Sequence, residues 1–149
     1  MSFCSSASGR ACLNEWDGPL AVNDILTFLL ALKQASATAG CPVILIVFVR
    51  GEVPVPANYL LTCIQGTLPA ILDCCEQLLL VVEGASVERA PFRAAFQVAR
   101  QLAIRRAPTL VFESLSAAFV HAQRFAPHDV LELQRHVLHQ SFPPNGQYA

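Results

Sequence analysis

The chain has 149 residues, of which 54% are hydrophobic and only 14% charged, with a formal net charge of −1 at pH 7. That length suits one domain able to bury roughly two thirds of its unfolded surface, with no need of disulfides or metals for stability. The near-zero charge gives no global field for nucleic acid or an acidic membrane, and a charged share well under the usual 25% or so leaves apolar surface over once a core is filled. Leftover apolar surface marks partner contacts, so self-association is the first expectation.

Met1 to Gly9 is small and serine-rich and is expected to be a flexible N-terminus. Arg10 to Trp16 alternates (Ala11, Leu13, Glu15 against Cys12, Asn14, Trp16) up to the turn residues Asp17-Gly18-Pro19, which predicts a first strand. The spacing Val22, Ile25, Leu29, Leu32 gives the buried face of a helix stopping near Gly40. Its other side carries Leu26, Phe28 and Leu30, so the helix is apolar nearly all round and needs cover on more than one side.

Val43 to Val49 (VILIVFV) and Gln77 to Glu83 (QLLLVVE) read as strands buried on both faces. Between them, the alternating prolines of Arg50 to Pro56 predict an extended connector, and the face Leu60, Ile64, Leu68, Ile71, Cys75 predicts a helix. Gly66 and Pro69 interrupt that helix, and Pro69 has no N–H for the Gln65 carbonyl, so a kink or two short helices is expected.

Pro91 opens a further helix burying Phe92, Ala95, Phe96, Ala99, Leu102 and Ala103. Thr109 to Phe112 reads as a fourth strand, Ser114 as the N-cap of a helix burying Leu115, Ala118, Phe119 and Ala122, and His128 to His139 as a last helix. The expected fold class is α/β. A single domain over residues 10–140 carries a largely parallel or mixed four-stranded sheet flanked by helices, in the order βαβαβαβα plus a C-terminal helix. Residues 141–149 are expected to be a flexible tail.

Over Arg10 to Phe125 the chain resembles the STAS family, the anti-sigma-factor-antagonist fold. The likeness lies in a strand ending before Gly18-Pro19-Leu20 and a helix, in VVEGASVERAPFRAAF (Val81 to Phe96), and in TLVFESLSAAF (Thr109 to Phe119). The helical stretch between Pro56 and Cys75 fits CRAL-TRIO-like lipid-binding relatives as the near alternative. The STAS resemblance implies a regulatory interaction module. Its phosphorylatable loop-helix junction would fall on Glu88, Arg89, Ala90 and Pro91, where the hydroxyl is missing; Ser86 is the nearest one.

Several constellations remain. At 100° per residue Arg93, Gln97 and Arg100 lie within about 60°, with Arg89 on the same side, an arginine stripe suited to an acidic partner or to a solvated flank. His128, Glu132, His136 and His139 share one face of the last helix, but the HExxH arrangement is absent and an exposed polar face is the expectation. Trp16 and Phe48 are core aromatics or the lining of an apolar pocket beneath Arg50 to Pro56.

The six cysteines lie mostly in apolar segments, and Cys74-Cys75 closes a helix beside Asp73 and Glu76, a poor setting for a nucleophilic thiolate. No secretory leader or membrane span is apparent, so a cytoplasmic location is expected. The expected function is a non-enzymatic interaction module without cofactor or metal. It self-associates or docks a protein partner through Leu26, Phe28, Leu30 and the arginine stripe Arg89, Arg93, Gln97 and Arg100. The alternatives are a module for a lipid or other apolar small molecule and, more weakly, a cysteine-dependent enzyme.

Overall fold

The computed structural model describes residues 3–50, 58–83, 94, 101 and 107–141. Strands β1 (Phe3–Ser8) and β2 (Ala11–Trp16) form an antiparallel hairpin. Helix α1 (Val22–Ala39) leads to β3 (Val43–Val49), and helix α2 (Asn58–Asp73) to β4 (Cys75–Val82). Then come β5 (Thr109–Phe112), α3 (Leu115–Gln123) and α4 (Pro127–Ser141).

The protein is therefore α/β, with a mixed five-stranded sheet in the order β1-β2-β3-β4-β5, parallel from β2 to β5. The fifth strand is β1, which takes the segment expected to be flexible. Gly9 turns the hairpin with φ +54°, a left-handed conformation open to glycine. Asp129, in the first turn of α4, accepts the Arg10 backbone N–H at 2.9 Å and pins the turn from the other end of the sequence. Serine and alanine have weak strand preference of their own, so pairing with β2 and these anchors make β1, where composition alone reads as loose.

Both β2-α1-β3 and β3-α2-β4 are crossovers between neighbouring parallel strands, and a constant right hand puts both helices on one face. There Ile25, Phe28 and Leu32 of α1 and Ile64, Leu68, Ile71 and Leu72 of α2 cover Cys12, Trp16, Leu45, Val47, Leu78 and Leu80. The chain then turns under the sheet. Ala118, Phe119 and Ala122 of α3 and Val130 and Leu133 of α4 cover Leu13, Ile44, Ile46, Leu79 and Val81 on the opposite face. Because β3 and β4 are sandwiched, almost every side chain on them is buried, as their unbroken apolar runs require.

Helix ends follow local chemistry. Asp24 accepts the Ala21 N–H at 2.8 Å at the start of α1, and Gly40, at φ +71°, ends it by donating to Ser36 and Ala37 carbonyls. Ser114 Oγ accepts the Ala117 N–H at 3.1 Å, the expected cap of α3. Helix α2 runs unbroken through Gly66 and Pro69 where two short helices were an option, because its apolar side is held against the sheet at Leu68, Ile71 and Leu72. The helix expected after Pro91 lies outside the described residues except for Ala94 and Gln101, both helical.

Candidate functional site

On α1 the core side is Ile25, Phe28 and Leu32, within about 60° of arc at 100° per residue. Phe28 is thus corrected from the outer side to the core: it is 4% exposed and meets Trp16 edge-on with ring centroids 6.5 Å apart. A helix apolar all round does not fix its own phase. Here the indole beneath it selects the phase, which rotates Val22 outward. The outer side carries Val22, Leu26 (47% exposed) and Leu30 (67% exposed), an i, i+4, i+8 row left to solvent. Arg89, Arg93, Gln97 and Arg100 all lie outside the described residues, as do Ser86 and the junction Glu88 to Pro91.

On the opposite face of the sheet, Val120 of α3 and Leu131 and Leu138 of α4 are also exposed. Sequence reasoning passed over these three because each directly follows an apolar residue of the inward face, Phe119, Val130 or Val137. The spacing of Leu131 and Leu138, two turns apart, was the available signal. Between the two helices Gln123 Nε2 donates to Gln134 Oε1 at 2.8 Å.

The polar face of α4 is as expected in part: His128 and His136 are exposed, and Glu132 pairs with Arg135 at 3.0 Å. Among the described residues no group of three or more His, Cys, Asp or Glu side chains is placed to hold a metal ion.

The thiols of Cys12, Cys74 and Cys75 are shielded rather than activated. Burial pushes the Cys74 thiol up, with Asp73 adding to the effect and Lys33 opposing it; its Sγ donates to the Ala70 carbonyl at 3.5 Å. Cys75 is buried and donates to Ile71 O at 3.2 Å, and burial pushes Cys12 up to about 12. A protonated, buried thiol is a packing group.

Trp16 and Phe48 do not line one pocket. Strand alternation sends Trp16 to the α1 side and Phe48 to the α3 side, where the Arg50 guanidinium lies 5.4 Å from its ring centroid. The connector above them, residues 51–57, is outside the described residues.

A cleft does exist elsewhere, between β1 and α1. It has a volume of about 110 Å³, walled by Ser5 and Ala7 on one side and Ala31 and Ala35 on the other. Its floor holds Asn14, 1% exposed, whose Nδ2 donates to Ser5 Oγ at 2.7 Å while its Oδ1 accepts the Trp16 indole N–H. Toward the hairpin turn it opens into a shallow depression of about 310 Å³ bounded by Gly9, Gln34 and Thr38. Asn14 was legible as the one amide in a strand of apolar alternation, and the small residues opposite it as missing bulk.

No helix among the described residues is long and apolar enough to cross a membrane. Compared with protein-family models, curated proteins and solved structures, the chain matches none.

Proposed function

We propose that the chain is a non-enzymatic, STAS-like interaction module that docks a protein partner or a second copy through the outer side of α1. The observation that carries this is the row Val22, Leu26 and Leu30, large apolar side chains facing water on a helix whose opposite side is already sealed. Support for the STAS-like part comes from the strand-helix alternation over Arg10 to Phe125 and the Ser114-capped helix behind the last strand. A cytoplasmic setting suits six free cysteines.

The test is Leu26→Glu with Leu30→Glu. Both positions are exposed, so the fold should persist by circular dichroism while retention of a candidate protein partner by the full chain weakens. Equal behaviour of variant and parent removes α1 from the reading.

The second reading, a module for an apolar small molecule, is favoured by the cleft between β1 and α1, with its apolar walls and amide floor. Native mass spectrometry of the purified protein should then show an added mass, absent when Ala31→Phe fills the cleft. An unadorned chain mass throughout retires this alternative.

A further inference from the structure

The two edges of the sheet are unequal. Strand β5 has four residues, which leaves little to pair with, whereas β1 has six and pairs along its whole length with β2. On its far side every second residue of β1 points an N–H and a C=O outward. Among the described residues no strand occupies that side. Natural proteins blunt such edges with charge, proline, a bulge or brevity. The segment FCSSAS carries no charge and no proline, and its register with β2 is unbroken.

We propose that β1 pairs antiparallel with β1 of a second copy, giving a two-fold dimer whose sheet runs on through ten strands. This goes beyond the α1 docking proposed above and uses a different surface. An unsatisfied strand edge specifies its occupant by hydrogen bonding: it takes another strand. Three features point to a copy of the same strand.

First, β1 is self-complementary. A two-fold axis perpendicular to the sheet pairs residues of one face with each other. Placed beside Ser6, it sets Cys4 opposite Ser8, Ser5 opposite Ala7 and Ser6 opposite its own copy, all small uncharged side chains.

Second, the neighbouring helix is at the right distance. Helix α4 packs over β1 and β2. With strands about 4.8 Å apart, its axis stands about 5 Å from the two-fold and about 10 Å from its copy, within helix-packing range. A six-residue strand pair alone buries too little for a stable dimer, and this second contact supplies area toward the roughly 1,200 Å² or more that is needed.

Third, the exposed polar groups of α4 are complementary. At 100° per residue Glu132 and His136 each stand about 160° from Gln134, the residue that bonds α3, so both lie on the side of α4 toward the free edge. Antiparallel apposition of two α4 helices brings Glu132 of one copy toward His136 of the other, twice. No like-charged pair arises from β1 itself. On the other face, the clefts beside Ser5 and Ala7 of the two copies would lie on either side of the axis.

The experiment is sedimentation of the full chain over a wide concentration range, for the parent, for Cys4→Lys/Ala7→Lys and for Leu26→Glu/Leu30→Glu. Cys4 and Ala7 are exposed on opposite faces of the edge, so lysines there are compatible with the monomer fold. The expected result is a parent dimer whose dissociation constant rises about tenfold or more in the lysine variant and stays unchanged in the glutamate variant. Hydrogen exchange of the parent gives a test free of substitutions: alternate β1 amides should exchange at least tenfold more slowly at dimeric than at monomeric concentration.

A parent that stays monomeric at every concentration overturns the proposal. So does a dimer lost only in the glutamate variant, which assigns association to α1, or one indifferent to both pairs of changes. If both variants dissociate, concentration-dependent protection of β1 decides for the edge and its absence against it.

Discussion

In β3 and β4 nearly every side chain is sealed between helices on both faces, whereas at the β1–β2 end the outer strand is small and part-open and a buried amide, Asn14, ties it to its neighbour. The middle of the sheet is specified by apolar area and volume, which tolerate exchange of one hydrophobe for another. The end is specified by directed hydrogen bonds, which do not. The comparison predicts where the molecule is robust and where it is brittle.

The largest effect belongs to the middle. Leu80, fully buried against α1 and α2, should cost about 2–5 kcal/mol when cut to alanine, because a cavity remains between rigid layers. The conservative Leu80→Met should cost less than about 1.5 kcal/mol. Urea unfolding of the three proteins checks both. A Leu80→Ala loss under 1 kcal/mol would mean that the sheet centre relaxes and is not close-packed.

The next effect is a pH dependence at the β2 end. Burial raises the Cys12 thiol from 9.0 to about 12, so the native state keeps a proton that the unfolded chain releases above about pH 9. Unfolding then binds fewer protons, and stability falls as pH rises from about 9 to 12, at no more than about 1.4 kcal/mol per pH unit. Below pH 9 this contribution is complete and flat. Cys12→Ala should flatten the alkaline slope, leaving the smaller part due to Cys74, raised in the same direction. An unchanged slope in Cys12→Ala would assign alkaline unfolding to other groups.

How much of this was legible depends on what each segment uses to hold its place. The runs VILIVFV and QLLLVVE announce doubly covered strands by composition, and Ser114 and Gly40 announce helix ends by their own chemistry. Strand β1 carries no such signal. It is a strand because β2 pairs with it and because Asp129, far along the chain, takes the Arg10 N–H, and neither fact is local. The phase of α1 was equally hidden. With leucines on all sides, the choice of Phe28 for the core was made by Trp16, a partner twelve residues upstream whose direction depends on strand pairing. The outer row was therefore identified at Leu26 and Leu30 but misplaced at Phe28, and Asn14, the centre of the cleft, was seen only as one member of an alternating strand.

Asn14 offers the direct test of brittleness at the sheet end. Asn14→Ala removes the amide oxygen that accepts the buried Trp16 indole N–H and releases Ser5 from β2, an expected loss of about 1–3 kcal/mol. Trp16→Phe breaks the same hydrogen bond from the donor side, so the double variant should lose less than the sum of the two single losses. Strict additivity in the thermodynamic cycle would show that the amide does not hold this end together.

The smallest effect sharpens the same contrast at the surface. Glu15, on β2, receives the Arg50 Nε–H at 2.6 Å, but Arg50 is largely exposed, and an exposed ion pair contributes about 0–1 kcal/mol. Arg50 also lies over the Phe48 ring, an attraction that persists when its carboxylate partner is gone. Glu15→Ala should therefore cost less than Arg50→Ala. Raising the salt concentration should shrink only the coupling between the two, since a guanidinium against an aromatic face is shielded on one side from solvent ions. If Glu15→Ala proves the costlier change, the ion pair rather than the ring contact anchors this corner of the sheet, and directed polar contacts outweigh apolar ones at both ends of β2.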